Sequence, residues 1–251
     1  MNYYNEFEPQ AAQWLRNLID AGLIPAGDVD TRSIEDVIPN ELRGYTQCHF
    51  FAGIGGWPLA LQLAGWPTSR PVWTGSCPCQ PFSAAGKGAG FDDQRDLWPS
   101  WLHLIRECAP PDIFGEQVAA AIGHGWLDRA VSDLEGRGYA CGAAVLQASG
   151  ANALHKRDRL WFVAHAERHQ QSREEPRSGT PGRMGRVEQP VSWDEPWPSA
   201  LSRLRVVGDG LPRNVGGTDA ARNAIVPQAA AEFVMAYAEA IGLASELLEA
   251  A

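Results

Sequence analysis

Short apolar runs alternate with amphipathic helical patterns over the first two thirds of this 251-residue chain. The apolar runs occupy residues 46–51, 71–74, 112–114, 143–146 and 160–164. Helical patterns lie between several of these runs, at residues 57–65, 97–108 and 125–137. Strands that alternate with helices pair in parallel, because each helix returns the chain across the sheet. The alternation therefore predicts an α/β fold with a mostly parallel sheet and helices on both faces.

The pattern changes on either side of this region. Residues 9–22 predict a helix that ends at Gly22, and a long closing helix is predicted from Pro227 to about Leu248. The alternation stops at about residue 166, and Gly, Pro, Arg, Ser and Gln dominate from there to about residue 220. Such a composition favours a loop-rich insertion with little core of its own.

The composition describes a chain that can bury one substantial core. Apolar residues make up 45% of the sequence, but no apolar run approaches the length needed to span a bilayer. The amino terminus is polar, acidic and aromatic, so we expect no signal peptide. The cysteines are odd in number and lack the spacing of a secreted disulfide scaffold, which indicates a reducing, cytoplasmic environment; they are Cys48, Cys77, Cys79, Cys108 and Cys141.

The net charge of −9 is unevenly distributed along the chain. Residues 1–150 contain 9 Lys and Arg against 17 Asp and Glu, whereas residues 155–186 contain 8 basic and 4 acidic residues. An acidic body with one arginine-rich segment can bind phosphates locally. The same segment is equally compatible with a solvated loop.

Two motifs carry the chemistry of the chain. The glycine-rich turn Phe51-Ala52-Gly53-Ile54-Gly55-Gly56 follows a strand-like run and precedes a helical pattern, which suits a cofactor lying against a helix N-terminus. The loop Pro78-Cys79-Gln80-Pro81-Phe82-Ser83 holds a cysteine between two prolines, so its sulfur can be aimed as a nucleophile. Together the motifs indicate covalent chemistry beside a bound nucleoside-like cofactor.

Each motif alone allows another interpretation. A glycine turn of this kind also serves as a tight connection between a strand and a helix. The fragment Cys77-Pro78-Cys79 is compatible with a redox or metal-binding role. A metal site is the weaker alternative, because no second cysteine pair and no His-x-x-x-His follows.

At these motifs the chain resembles the cytosine-5 DNA methyltransferases of the short phage or bacterial type, which move a methyl group from S-adenosyl-L-methionine to carbon 5 of cytosine. The cysteine loop, followed by Gly86-Lys87 and Gly90-Phe91, is the strongest match to the family's nucleophile loop. The glycine turn resembles its cofactor turn. The resemblance implies a Rossmann-like methyltransferase sheet, S-adenosyl-L-methionine as the cofactor, double-stranded DNA as the partner, no membrane partner and a monomeric enzyme.

Three later stretches extend the resemblance. Phe114-Gly115-Glu116-Gln117-Val118 resembles the strand end that carries the catalytic glutamate, and His155-Lys156-Arg157-Asp158-Arg159-Leu160 resembles the Gln-x-Arg-x-Arg element that holds a flipped base and its phosphate. Asn223-Ala224-Ile225-Val226-Pro227 resembles the stretch that opens the closing helix. The resemblance implies a catalytic domain at residues 1–165, a small target-recognition region at 166–220, and a C-terminal helix at 221–251 that returns to the catalytic domain.

The order of the cofactor-binding elements departs from the family's usual order. Two of these elements normally lie between the glycine turn and the nucleophile loop, and here that gap holds one helix and one strand. Asn5-Glu6-Phe7 resembles the acidic strand end that grips the ribose, and Gly27-Asp28-Val29 resembles the element whose aspartate reads the adenine amino group. We therefore predict a permuted chain in which the second and third strands precede the first. The alternative is a plain N-terminal helical extension.

The resemblance also implies a role for individual residues. Cys79 would add to C6 of the cytosine as a thiolate, and a protonated, partly buried Glu116 would donate to N3. Arg159 would contact the cytosine O2 and Arg157 the neighbouring phosphate, since a planar guanidinium suits both. A stacked base is out of reach of such groups, so extrusion of the cytosine is implied.

The cofactor site implied by the resemblance draws residues from the amino-terminal segment, the glycine turn and the stretch before the closing helix. Glu6 would bind the ribose, Phe7 would stack on the adenine, and Asp28 with Val29 would read its amino group. The remaining contacts are expected from Phe51, Ala52, Gly53, Ile54, Gly55, Gly56 and Asn223.

Some features depart from the family pattern and leave other functions open. Gln117 replaces the usual asparagine beside the glutamate, and Arg222 replaces the usual glycine before Asn223. The same scaffold could transfer a different group from a modified cofactor, act as a catalytically idle DNA-binding relative, or use Cys77 and Cys79 in thiol redox chemistry. The target sequence and the biological role, whether in restriction and modification or in a phage, are not encoded in any of these motifs.

Overall fold

The computed structural model describes residues 1–78, 96–151, 157–166 and 224–243 of the chain. Seven strands form one sheet in the order β2-β1-β3-β4-β5-β7-β6. The strands are β1 (Asn2–Asn5), β2 (Gly27–Asp30), β3 (Gln47–Phe50), β4 (Val72–Gly75), β5 (Asp112–Val118), β6 (Tyr139–Gln147) and β7 (Asp158–Ala166). The first five strands pair in parallel, and β7 is antiparallel to both β5 and β6. The predicted mostly parallel sheet is confirmed.

Five α-helices lie in the described part of the chain. They are α1 (Pro9–Asp20), α2 (Gly56–Leu63), α3 (Trp98–Cys108), α4 (Trp126–Glu135) and α5 (Pro227–Ala240). The start of α1 is capped by Glu8, whose Oε2 accepts the backbone N–H of Ala11 at 2.6 Å, and Pro9 occupies its first position. The first four predicted helices are confirmed to within a few residues at each end. The closing helix begins at Pro227 as predicted, but it ends at Ala240 rather than at about Leu248, because Gly242 adopts the left-handed region (φ 73°) and the N–H of Leu243 bonds back to the oxygen of Ala238.

Helices cover both faces of the sheet, as predicted. On one face, aromatic residues of α3 and α4 pack on alternate strand residues such as Tyr3, Cys48 and Ile113. On the other face, α2 and α5 pack around Phe114, and α1 packs over Tyr4. Burial of apolar area at this scale is the main force that holds the helices to the sheet.

The order of the strands confirms the predicted permutation. The central strand β3 lies between β1 and β4, although both β1 and β2 precede it in the sequence. If β3 is counted first, β1 second and β2 third, the sheet reads 3-2-1-4-5-7-6. The amino-terminal segment is therefore part of the sheet, and the alternative of a plain helical extension is wrong.

Two smaller observations complete the description. None of the helices in the described ranges is long and apolar enough to cross a membrane. Among the thiols, Cys48 is buried, whereas Cys108 and Cys141 are only partly buried. Both of the latter lie near the ends of surface elements, where their strand or helix faces solvent on one side.

Candidate active site

The glycine turn lies at the carboxyl end of the central strand. Phe51 directly follows β3 with a φ of 51°, and Gly53 (φ 55°) and Gly55 (φ 85°) also adopt the left-handed region. This region costs a residue with a β-carbon about 1 kcal/mol or more, so Phe51 marks a strained position of the kind that clusters at functional sites. Gly55 is the N-cap of α2, and the turn therefore directs the N-terminus of that helix toward this edge of the sheet.

Glu6 joins the amino-terminal segment to the glycine turn. It follows β1, whose last residue, Asn5, accepts the backbone N–H of Ala52 at 3.0 Å. The Glu6 carboxylate accepts the backbone N–H of Gly53 at 2.7 Å and that of Glu8 at 2.9 Å. Burial raises the pKa of Glu6, and the two N–H donors oppose that rise. The structure thus brings two predicted cofactor residues, Glu6 and Gly53, into direct contact.

The two aspartates of β2 occupy different places. Asp28 lies in the middle of the strand opposite Tyr3, and its carboxylate accepts the hydroxyl of Tyr45 at 2.5 Å. Asp30 ends the strand opposite Asn5, where it accepts the hydroxyl of Tyr3 at 2.8 Å and pairs with Arg32 at 2.7 Å. Burial raises the pKa of Asp30, but the hydrogen bonds from Arg32 and Tyr3 outweigh it and lower the pKa overall.

Asp30 is therefore the carboxylate at the edge that also carries Glu6, and the sequence analysis did not single it out. The sequence signal that could have indicated Asp30 is its position two residues after Asp28 in the same strand. Of the remaining predicted contacts, Phe7 is 71% exposed and Val29 packs against the cluster under α1. Ala52 and Gly56 are buried, and Ile54 is half-buried.

Glu116 lies near the carboxyl end of β5 and is almost completely buried, at 6% exposure. Nε of Arg159 lies 2.6 Å from its Oε1, across the antiparallel pairing of β5 with β7. Burial raises the pKa of Glu116, while Arg159, Arg157 and the Ser76 hydroxyl act to lower it. A carboxyl with a raised pKa can hold a proton near neutral pH and donate it.

The two predicted arginines approach Glu116 from the start of β7. Arg159 also donates to the backbone oxygen of Asp158 at 3.0 Å, and its side chain keeps 19% exposure. Arg157 precedes the strand and donates to the backbone oxygen of Ala224 at 2.8 Å. This last contact ties the arginine element to the segment that leads into α5.

Two residues near Glu116, Ser76 and Trp57, were not predicted to take part. Ser76, directly after β4, lies beside Glu116 in the register of β4 with β5 and acts to lower its pKa, and its Oγ accepts the indole N–H of Trp57 at 3.1 Å. Gln117, which replaces the usual asparagine, contacts the backbone oxygen of Cys77 with its Nε2 at 3.5 Å. No sequence motif marked Ser76 or Trp57, because their roles depend on which strands become neighbours.

The nucleophile loop is described only up to Pro78. Cys77 is buried, and burial raises its pKa well above the usual value, so this thiol is poorly suited to nucleophilic attack. Cys79 and Asn223 lie outside the described residues. Strand β4 ends beside β5, where Gly75 pairs with Gly115, the residue before Glu116.

The edge as a whole fits a nucleoside cofactor beside an acid. A β-carbon built at Gly53 would meet no atom within 4 Å, so the turn borders open space. The Glu6 carboxylate lies at this turn, and Glu116 with Arg159 lies on β5 and β7, of which β5 is two strands from β3. Crevices outside the carboxyl ends of parallel strands are the usual ligand sites of such sheets.

The chain is similar to known proteins of one family. The family described as C-5 cytosine-specific DNA methylase matches residues 67–194, which is half of the chain. The match begins after the glycine turn. The Type II methyltransferase M.NgoMIV of Neisseria gonorrhoeae is 27% identical over 160 residues, covering 48% of this chain and 51% of the relative. The Type II methyltransferase M.MspI of Moraxella sp is 35% identical over 136 residues, covering 51% of this chain and 32% of the relative.

The chain belongs to the C-5 cytosine-specific DNA methylase family. It spans about half the length, or less, of the curated relatives that it matches. Among solved structures, the Dnmt2 methyltransferase of S. pombe superposes with a TM-score of 0.42 at 14% identity, over 84% of this chain and 68% of that chain.

Proposed function

We propose that this chain transfers a methyl group from S-adenosyl-L-methionine to carbon 5 of cytosine in DNA. The observation that carries the proposal is the buried Glu116 near the carboxyl end of β5, which lies 2.6 Å from Arg159 and next to Gln117, the residue that contacts Cys77. An acid of raised pKa beside a nucleophile loop is what the activation of a cytosine ring requires.

The chemistry divides among the chain's own residues. Cys79 adds as a thiolate to C6, forming a carbon–sulfur bond, while the proton of Glu116 goes to N3 and neutralises the charge on the ring. Arg159 holds the carboxyl and contacts the cytosine O2, and Arg157 binds a neighbouring phosphate. After C5 is methylated, the N3 proton returns to Glu116, the C5 proton leaves to a base and the bond to Cys79 breaks, which restores the neutral aromatic ring and the thiolate.

The cofactor would be held by the glycine turn and the carboxyl ends of β1 and β2. Glu6 binds ribose hydroxyls, Phe7 covers the adenine, and the adenine amino group is read by Asp28 with Val29 in β2. Phe51 and Asn223 complete the proposed site. When bound, S-adenosyl-L-methionine supplies an electrophilic methyl group.

The DNA partner follows from the same chemistry. A ring attacked at C6 and protonated at N3 has to leave the base stack, so the proposal includes extrusion of the cytosine from double-stranded DNA. Residues 1–165 form the catalytic domain in this proposal, 166–220 recognise the target, and 221–251 return to the catalytic domain. The enzyme acts as a cytoplasmic monomer.

The test measures transfer of tritiated methyl groups from S-adenosyl-L-methionine to unmethylated genomic DNA, which contains many candidate targets. Wild type and Cys77→Ala are expected to label 5-methylcytosine, whereas Cys79→Ala is expected to give none. Glu116→Gln should be slower by at least about a hundredfold, because the proton donor is lost.

Each outcome bears on a separate part of the proposal. Label from Cys79→Ala at the rate of wild type would overturn the covalent step. Absence of label from every protein, although S-adenosyl-L-methionine binds, would overturn methyl transfer. Mass spectrometry of the product nucleoside distinguishes a methyl group from any other transferred group.

A further inference from the structure

The hydroxyl of Ser76 lies between a hydrogen-bond donor and an acidic group. The indole Nε1 of Trp57 donates to Oγ at 3.1 Å. The pairing of Gly75 with Gly115 places the next residues, Ser76 and Glu116, side by side, and Ser76 acts to lower the pKa of that carboxyl. An indole N–H can only donate, so it occupies a lone pair of the serine oxygen. The single hydroxyl proton of Ser76 is then left to point at Glu116.

Trp57 is itself held firmly. It is buried in the first turn of α2, directly after the glycine turn, and its ring packs on Phe114 and on the edge of Trp161, with centroids 6.3 and 5.6 Å away. A ring fixed by packing on two sides presents its N–H in one direction. The donor that orients Ser76 therefore comes from the helix that begins at the cofactor turn.

Arg159 supplies the opposing contact on Glu116. Its Nε lies 2.6 Å from Oε1, so the carboxyl is bound both from β7 and from the end of β4. A fully buried carboxyl with a single partner could rotate about its last torsion, which is broad for glutamate. Two partners from different strands restrict that rotation.

We propose that Ser76, oriented by Trp57, is a positioning residue that directs its hydroxyl proton to Glu116 and sets both the orientation and the proton affinity of this acid. The inference rests on the proposed function, in which Glu116 donates to cytosine N3. A hydrogen bond donated to a carboxylate favours its charged form, so Ser76 opposes the effect of burial. Trp57 couples the first turn of the cofactor helix to the acid through this serine.

The experiment compares the pH dependence of turnover in wild type, Ser76→Ala and Ser76→Thr. Loss of the hydroxyl raises the proton affinity of Glu116, so the alkaline limb of the kcat profile moves to higher pH in Ser76→Ala. Maximal kcat is expected to fall about tenfold, since the carboxyl loses one restraint. Ser76→Thr keeps the hydroxyl and should restore the wild-type profile.

A pair of tryptophan variants separates the hydrogen bond from packing. Trp57→Phe removes the N–H that orients Ser76 and should move the alkaline limb in the same direction. Trp101→Phe is the matched control, because Trp101 is also fully buried and its indole nitrogen has no hydrogen-bond partner in the described part of the chain. Combining Trp57→Phe with Ser76→Ala should add no further shift, since both act through one hydroxyl.

A direct titration of Glu116 distinguishes failure of this inference from failure of the proposed function. The carboxyl carbons of glutamate are labelled with carbon-13, and the Glu116 resonance is assigned with Glu116→Gln. A higher midpoint in Ser76→Ala than in wild type and Trp101→Phe supports the inference even if no protein methylates DNA. An unchanged midpoint in Ser76→Ala overturns it, whatever the activity.

Discussion

Glu116 and Arg159 form a buried pair in which burial and attraction compete. The carboxyl is 6% exposed, and its pKa is raised by burial although Arg159 lies 2.6 Å away. Burial therefore outweighs the attraction of Arg159 in setting the direction of the pKa shift. In the proposed function, Arg159 fixes the direction of a carboxyl that can bind and release a proton, as an acid that works once in each turnover requires.

Replacement of Arg159 by lysine tests how far this depends on geometry. A lysine retains the charge but lacks the Nε donor and the planar fork, so kcat/KM of Arg159→Lys should fall about ten- to a hundredfold. Arg106→Lys is the matched control, because Arg106 pairs with Glu107 on the surface. Steady-state methylation assays measure both. Equal kcat/KM in Arg159→Lys and wild type would show that charge alone suffices.

Glu6 gives a second prediction at the scale of one residue. Its two carboxylate oxygens accept the N–H groups of Gly53 and Glu8, and a glutamine offers only one acceptor oxygen. Glu6→Gln should weaken binding of S-adenosyl-L-methionine about tenfold, as measured by isothermal titration calorimetry. Glu8→Gln changes an exposed carboxylate that caps α1 and should leave the affinity nearly unchanged. Equal affinities in the two variants would remove Glu6 from the cofactor site.

At the scale of elements, the pairing of β5 with β7 brings backbone and ring into contact at Gly115. A β-carbon at this position would lie 2.0 Å from the ring of Phe162, whereas one at Gly142 in β6 would lie at an ordinary 3.5 Å from Val163. Gly115→Ala should therefore lower the free energy of unfolding by about 3 kcal/mol or more, because the ring has to move in a packed core. Gly142→Ala should change it little.

Urea denaturation of both glycine variants checks this expectation. A stability of Gly115→Ala equal to that of Gly142→Ala would mean that Phe162 has room to move aside.

The central strand β3 carries a buried histidine that couples stability to pH. His49 is fully buried, its Nδ1 lies 2.8 Å from Oγ1 of Thr74, and burial lowers its pKa to about 3. The unfolded chain binds a proton at His49 below about pH 6.5, and the folded chain does not. This histidine therefore reduces stability as pH falls from about 6.5 toward 3, by about 1.4 kcal/mol per pH unit.

His49→Gln should remove that contribution. Between pH 6 and pH 4, His49 binds a proton in the unfolded chain but not in the folded chain. In this range the unfolding free energy of His49→Gln should therefore depend on pH less steeply than that of wild type, by up to about 1.4 kcal/mol per pH unit. Thr74→Val removes the hydrogen bond but keeps the histidine, so it should lower stability at every pH and retain the slope. Identical slopes in His49→Gln and wild type would show that His49 is protonated in the folded state.

The sequence predicted these elements unevenly, and the reasons are physical. Strands β3, β4, β5 and β7 were visible as apolar runs because helices bury both of their faces. The edge strand β6 was predicted as 143–146 but extends from Tyr139 to Gln147, since its small and exposed residues leave no apolar signal. The short strands β1 and β2 are rich in polar residues, and only the family resemblance located them.

The sequence identified candidate residues of the site but not the contacts between them. Glu116, Arg157 and Arg159 were each assigned from motifs, yet their distances depend on the antiparallel pairing of β5 with β7. Ser76 and Trp57 lie far apart from Glu116 in the sequence and belong to no motif. Contacts of this kind become visible only when three elements are placed together.

At the scale of the whole molecule, the permuted order of the strands is possible because the points at which the chain is reconnected lie close together at one edge of the sheet. The backbone oxygen of Met1 accepts the N–H of Thr46 at 2.9 Å, and the oxygen of Thr46 accepts the N–H of Val72 at 3.2 Å. The side chain of Gln47 contacts the oxygen of Pro67 at 3.0 Å. The amino ends of β1, β3 and β4 and the loop that follows α2 are therefore neighbours at one edge of the sheet. Connections between them can be exchanged without crossing the sheet.

Because these points lie close together, we predict that the chain can be rearranged into the family's usual order, with β3 first. A chain that runs 46–69, then 1–45, then 70–251, joined by short glycine–serine linkers, places β3 before β1 and β2 and leaves every strand pair unchanged. We expect it to unfold cooperatively, with a Tm within about 5 °C of wild type, because the packed core is the same. It should also bind S-adenosyl-L-methionine with the affinity of wild type, since the carboxyl edge is untouched.

The matched control keeps the natural order and carries the same linkers after residues 45 and 69, so any cost of the linkers alone is measured. Calorimetric unfolding and cofactor titration are compared between the two chains. If the control folds and the rearranged chain does not, the segment order is itself needed for folding, for instance because β1, α1 and β2 form first and template β3. If both fold alike, the sheet contacts alone determine the fold, and the permutation is neutral for the site that they build.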